Sequence, residues 1–177
     1  SVWDEPGLTA VHRAFRQFED SFDGKNGGFS GAPKFPTPHN LIFLMEYGAR
    51  EKRPSALSMA EKTLVQMYRG GIFDHIGGGF SRYSTDNQWL VPHFEKMLYD
   101  NALLVMAYVK AYGRTGRNMY GWVAGKILEY VERELTDSQG GFYCGQDADS
   151  GGVEGKYYVF TPDEIMTVLG EDAGRDF

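Results

Sequence analysis

A single cysteine, Cys144, is all that the 177 residues contain, so an internal disulfide framework is excluded and a reducing compartment is expected. Clustered Lys and Arg are missing too. With a net charge of −6 and a pI near 5.2, the chain has none of the basic surface that non-specific nucleic-acid binding needs. No apolar run approaches the roughly 18 residues that span a bilayer, and the opening SVWDEPGL lacks the charged and apolar regions of a signal peptide. These absences predict a soluble, cytoplasmic protein with neither nucleic acid nor membrane as a partner. No HExxH, no paired cysteines, no Gly-Lys-Thr or Gly-Lys-Ser and no Gly-x-Gly-x-x-Gly occur, so neither a metal nor a phosphate-bearing cofactor is expected. Asp147-x-Asp149 invites comparison with a calcium loop. Gly151 at the fifth ligand position and Tyr158 at the twelfth defeat it.

What is present is apolar and aromatic: 42% hydrophobic and 15% aromatic residues, enough for one substantial core. Leu8, Val11, Phe15, Phe18 and Phe22 step by three and four, the period of an amphipathic helix. Glycines at 24, 27 and 28 stop it. Thr37 with Pro38 predicts the capped start of a second helix ending near Arg50, and a third runs from Pro54 to Gly70-Gly71. A fourth is expected from about His93 to Gly113. The fifth, from Asn118 to Leu135, is read with Trp122, Ile127, Leu128 and Val131 inward. Thr161-Pro162-Asp163-Glu164 is a capping box opening a sixth. Short strands are expected at 80–83, 88–91, 141–144 and 156–160, and Cys144 is read as a small buried thiol.

The loops repeat. Gly27-Gly28-Phe29, Gly78-Gly79-Phe80 and Gly140-Gly141-Phe142 lie 51 and then 62 residues apart, each between one helix and the next. Such periods mark an array of supersecondary units. A solenoid or toroid of three helical hairpins (about 8–50, 55–113 and 118–177) follows, with all three turns on one face.

Three stretches, GGFSGAPKFPTP (27–38), FDHIGGGFSRYSTDNQWLVPHFEKMLYDNALL (73–104) and GGFYCGQDADSGGVEGKYYVFTPDEI (140–165), resemble signatures of the spermatogenesis-associated, thioredoxin-domain-containing proteins. That resemblance implies an all-α fold, an (α/α)6 toroid related to the six-hairpin glycosidases and to N-acylglucosamine 2-epimerases. The three hairpins would make a single partial domain, about half of the ring, with short β-hairpins in its loops. It also implies an N-terminal thioredoxin-like domain in the full-length protein. The present chain, without Cys-x-x-Cys or a βαβ pattern, is read as lacking it. Gly151 departs from the pattern, standing where an acidic residue is expected.

Polar groups crowd the stretch from Gly77 to Ala102. His93 is the leading acid–base candidate, read as sitting at a helix entrance beside Glu95 and Lys96. Glu95, Asp147 and Asp149 are expected to assist it, because glycoside hydrolysis needs facing carboxyl groups and sugar epimerisation needs an acid–base pair. His75, Arg82, Tyr83, Trp89, Asp100 and Glu154 are expected to bind or position a sugar-like ligand, the aromatic rings by stacking on its C–H faces. Lys96 is read as pairing with Asp100 along the helix. The chemistry implied is that of a sugar isomerase, epimerase or hydrolase. The alternative is a binding or scaffold module attached to a thioredoxin-like redox domain. An open half-ring leaves apolar faces uncovered, which predicts a homodimer.

Overall fold

The computed structural model describes residues 7–176. Its helices are α1 (Leu8–Ser21), α2 (Pro38–Arg50), α3 (Pro54–Arg69), α4 (Leu98–Thr115), α5 (Asn118–Glu134), α6 (Pro162–Leu169) and α7 (Glu171–Asp176). Two-residue strands pair antiparallel: β1 (Tyr83–Ser84) with β2 (Pro92–His93), β3 (Lys96–Met97) with β4 (Gly145–Gln146), and β5 (Asp149–Ser150) with β6 (Val153–Glu154). The fold is thus mostly helical, with strands confined to the loops.

Local sequence sets the helix ends. Proline opens α2, α3 and α6, where its missing N–H leaves no intrahelical bond unmade. At α6 the capping box forms in full, with Glu164 N–H donating to Thr161 Oγ1 and Thr161 N–H to Glu164 Oε2. Thr37 does not cap α2; its backbone is left-handed and its side chain makes no cap bond. Helix α4 runs through Gly113, whose helix penalty is only about 1 kcal/mol, and stops at the left-handed Gly116.

Helix α2 lies against α3 and α4, and α4 against α5. Glu61 of α3 accepts from Arg117 and Tyr120 at the start of α5, at 3.1 and 3.0 Å. Phe15 of α1 stacks on Tyr47 of α2 at 4.4 Å. The core is one cluster that includes Leu41, Leu44, Leu64, Met67, Leu104, Tyr108, Val123 and Ile127. Each such side chain contributes roughly 1.5–3 kcal/mol by leaving water. On α5 the buried stripe is Tyr120, Val123, Ala124, Ile127 and Tyr130, so Trp122 and Leu128 fall outside it and are about half exposed. The expectation that those two point inward is corrected.

Connections alternate. Short links, 51–53 and 116–117, lie at one end of the helices, and long loops, 22–37, 70–97 and 135–161, at the other. The first two long loops are joined through Lys34 and Ser84, which exchange backbone hydrogen bonds of 2.8 and 2.9 Å. The second and third are joined by β3–β4. All three Gly-Gly-Phe turns therefore share one rim.

Each turn is built alike. An aspartate carboxylate collects backbone N–H groups from the next residues: Asp23 from Lys25 and Asn26, Asp74 from Ile76 and Gly77, Asp137 from Gln139. In the first two turns a buried lysine then docks on the aspartate. Lys34 Nζ donates to Asp23 (2.7 Å), Gly27 O and Asn87 O, and Lys96 Nζ to Asp74 (2.8 Å) and Gly78 O. An aromatic ring from the following loop covers each amine, Trp89 over Lys34 and Tyr158 over Lys96. Among the described residues the third turn has neither; the Tyr143 hydroxyl meets Asp137, and Gly140 and Gly141 face open space. Lys96 pairs with Asp74 across 22 residues rather than with Asp100 one turn on. A buried ammonium needs a carboxylate, and Asp74 sits where it can also share the Gly78 carbonyl.

Candidate active site

The rim's polar centre starts from the β1–β2 ladder. Register pairs Tyr83 with His93, and their rings stack at 4.9 Å. His93 therefore lies in a strand, five residues before α4, and not at a helix entrance. Pro92 explains the difference: it suits an edge strand better than a helix interior, and β1 offers it a partner. His93 Nδ1 is 2.7 Å from Glu154 Oε1, whose position on β6 brings the third loop across. The Phe94 N–H donates to the same oxygen at 3.3 Å. His93 Nε2 stands 3.9 Å from Glu95 Oε2, and that oxygen accepts from Arg82 at 2.8 Å. Arg82 and Glu95 are also joined through their backbones.

Asp100 opens the first turn of α4 and is buried, only 8% exposed. Burial, with Glu95 adding, raises its carboxyl to about 6, while Arg82 and Tyr99 pull it partly back. Its Oδ2 and the Nε of Arg82 are the buried side-chain polar atoms without a hydrogen-bond partner among the described residues. Two carboxyl groups in one locality thus differ in character. Glu95 is held by a guanidinium, and Asp100 is raised to about 6 chiefly by burial.

The expected residues divide. His93, Glu95, Arg82, Tyr83, Asp100 and Glu154 come together. Asp147 and Asp149 lie next door on the hairpin that carries Glu154, with Asp149 directly opposite it in register, but both are exposed. Asp147 accepts from the Asp149 N–H, and neither side chain bonds to His93 or Glu95. His75 is apart, edge-on to Phe73 at 5.1 Å. Trp89 is fully buried; its Nε1–H donates to Asn26 O at 2.9 Å, so its ring joins two loops and presents no face to a ligand. Asp86 organises its own loop by accepting from Gln88, Leu90 and Val91. Cys144 is exposed, contrary to the buried thiol expected. Sequence reading missed the two lysine–aspartate seats. Their trace was there, an aspartate four residues ahead of each of the first two Gly-Gly pairs and a lysine closing each loop. Among the described residues no three His, Cys, Asp or Glu side chains are placed to hold a metal ion, and no helix is long and apolar enough to cross a membrane.

Against known proteins, the chain is 47% identical over 173 residues to human spermatogenesis-associated protein 20, a match covering 92% of this chain and 22% of that protein. The chain is homologous to one stretch of the spermatogenesis-associated proteins. It spans about a fifth of the length of these curated relatives. The mouse spermatogenesis-associated protein 20 matches at the same identity, and an uncharacterised Caenorhabditis elegans protein is 40% identical over 166 residues, covering 86% of this chain and 23% of that protein. No family model matches. Among solved structures, cellobiose 2-epimerase of Bacillus thermoamylovorans superposes with a TM-score of 0.66 at 15% identity, covering 96% of this chain and 53% of that one. Cellobiose 2-epimerase of Spirochaeta thermophila gives 0.64 at 20% identity, covering 79% and 40%. A family 76 mannosidase of Bacteroides thetaiotaomicron gives 0.56 at 15%, covering 83% and 42%. At these identities the likeness shows the fold alone. The stretch shared with the spermatogenesis-associated proteins is a portion of the six-hairpin, glycosidase-like (α/α) toroid.

Proposed function

We propose that this rim is a carbohydrate-binding site with acid–base chemistry of the epimerase, isomerase or glycosidase kind, and that His93 is its proton-transfer group. The fold is compatible with carbohydrate chemistry, since its structural neighbours include sugar epimerases, a mannose isomerase and a mannosidase. The observation that carries the reading is the seating of His93. With Glu154 on Nδ1, the imidazole is held in one orientation, leaving Nε2 to exchange a proton beside Glu95. The Arg82 guanidinium fixes Glu95, Tyr83 supports the imidazole face, and Asp100 supplies a second carboxyl whose proton is held to about pH 6 by burial. Asp147 and Asp149 serve as outer groups that meet the ligand from the neighbouring hairpin. The test is to incubate the full-length protein with reducing sugars in D2O and follow deuterium incorporation next to the carbonyl, or bond cleavage, by NMR. Turnover is expected, and His93→Ala is expected to reduce it at least a hundredfold with the fold intact. Unchanged turnover in that variant would remove His93 from the chemistry.

One observation favours a second reading, a non-catalytic binding or scaffold module working with a thioredoxin-like domain. Much of the loops' polar density is spent on architecture: both buried lysines, Asp23, Asp74, Asp86 and the Trp89 N–H all satisfy backbone or one another. Full-length protein whose activity follows only a redox domain and ignores His93 would select it. Self-association through the exposed faces belongs to either reading.

A further inference from the structure

Residues 92–96 turn successive side chains to opposite sides. His93 and Glu95 meet Glu154 and Arg82 on one side. Pro92, Phe94 and Lys96 line a cleft of about 450 Å3 on the other, and none of the six groups gathered around His93 borders it. That volume lies in the range of small-molecule sites, roughly 300–1,000 Å3. Its walls are apolar. The rings of Phe94 and Tyr158 stack nearly parallel at 5.4 Å, and Phe73 lies buried behind them. Ile76 and Val159, both largely exposed, stand at the mouth.

Two donors reach this cleft short of acceptors. Ser81 is 4% exposed, and its N–H donates to Ile72 O at 2.8 Å. Its hydroxyl has no partner among the described residues, yet it is not one of the sealed polar atoms. Since Ser81 belongs to the lining, that hydroxyl opens into the cleft. An enclosed hydroxyl without a partner is costly, so it marks a place where something else supplies the bond. Lys96 is the second donor. Lys34, its counterpart in the first turn, gives three hydrogen bonds. Lys96 gives two, and its remaining N–H has the Tyr130 and Tyr158 rings to face.

These features restrict what fits. Lys96 and Asp74 neutralise each other in the lining, and His75, its histidine, is exposed to water. A ligand with a full charge would leave solvent and find no free countercharge. A flat apolar ring suits the aromatic wall, and an oxygen that accepts suits Ser81 and Lys96.

We propose that this cleft is a second ligand site, which takes an uncharged aryl compound bearing one hydroxyl or carbonyl group. The ring lies against Phe94 and Tyr158, and the oxygen accepts from the Ser81 hydroxyl. The proposal does not rest on the carbohydrate reading.

The test titrates methyl-labelled full-length protein with benzyl alcohol, toluene, benzoate and benzylamine, and follows the Ile76 and Val159 methyl resonances by NMR. Benzyl alcohol is expected to shift both saturably, and benzoate and benzylamine to bind at least tenfold more weakly. Ser81→Ala is expected to weaken benzyl alcohol about three- to tenfold relative to toluene. Should that variant fail to fold, Ser81→Cys keeps the volume with a much weaker donor and gives the same readout. Val159→Trp, a change at a largely exposed position, is expected to fill the mouth and abolish binding, read at Ile76. Benzyl alcohol that moves neither methyl overturns the proposal, as does a charged probe that binds equally or more tightly. So does a Ser81 variant that treats benzyl alcohol and toluene as the parent does, the result expected if the hydroxyl holds only a water molecule. Parental binding in Val159→Trp would place the ligand elsewhere and overturn it as well. None of these results bears on His93, whose variant tests the sugar chemistry separately.

Discussion

Lys96 is 2% exposed and keeps its ammonium only because Asp74 and the Gly78 carbonyl receive it. Burial by itself lowers the lysine's pKa, and Asp74 pulls it partly back. Lys96→Met strands a carboxylate inside the rim, so a loss of about 3–5 kcal/mol is expected in urea unfolding. The exposed pair Lys126–Glu129 provides the contrast: Lys126→Met is expected to change stability by less than about 1 kcal/mol. Asp100 behaves in the opposite sense from a paired carboxylate. The unfolded chain releases this proton near pH 4, while the fold holds it to about 6. Stability therefore falls as pH rises through that interval and is level above it. Asp100→Asn is expected to be more stable than the parent by roughly 1–3 kcal/mol at pH 7 and equal to it near pH 3.5. Urea midpoints at both values check this, and a variant no more stable at pH 7 would contradict the strained carboxyl. Asp23 and Asp74 are depressed instead: burial raises them, but a lysine and backbone N–H groups more than offset it. Their contribution is present above pH 4 and is lost as acid is added below it, so Asp23→Asn and Asp74→Asn should each flatten the acid limb of the stability curve.

Trp89 shows how an element is held when it has almost no regular structure of its own. The loop 70–97 keeps its shape by inserting that ring beneath the first loop, against Gly28, where a β-carbon would stand 2.6 Å from it. Gly28 also has a left-handed backbone, so the position is closed to other residues twice over. Trp89→Ala is expected to cost about 3–5 kcal/mol and to loosen both loops, seen as faster amide exchange at Asn26 and Gly27 as well as around the substitution. Helices were legible in the sequence because a face repeating every three to four residues is a local property, and Pro54, Pro162 and Gly70 mark their ends locally too. The strands were legible as short hairpins in the loops but not in their positions. Two residues are too few for an alternation to register, and β3 exists because β4 of the third loop meets it, which no local window contains. For the same reason His93 was legible as a polar centre but not its partner Glu154, 61 residues away.

At the scale of the whole molecule, the recurrence of Gly-Gly-Phe was enough to foresee a common rim, because short links at one end force long loops to the other. It did not reveal that the third repeat differs. Gly140 and Gly141 face open space, whereas Gly27 rests on Thr63 and Gly78 on Lys126. Tyr99, Met106 and Val109 along α4 and Val168 on α6 are likewise more than half exposed. Uncovered apolar area of this kind promotes association, so this chain by itself is expected to show a concentration-dependent rise in mass toward a dimer in light scattering, suppressed by Met106→Glu with Val109→Lys. A strict monomer at high concentration would refute it. The links 51–53 and 116–117 carry a different consequence. Since the chain passes the far end in two brief crossings that touch neither His93 nor Asp100, a fluorescent reporter or affinity handle spliced in at Gly116 should leave sugar titrations unaltered. The 116–117 link is the natural place to anchor the protein on a sensor surface with its rim turned outward.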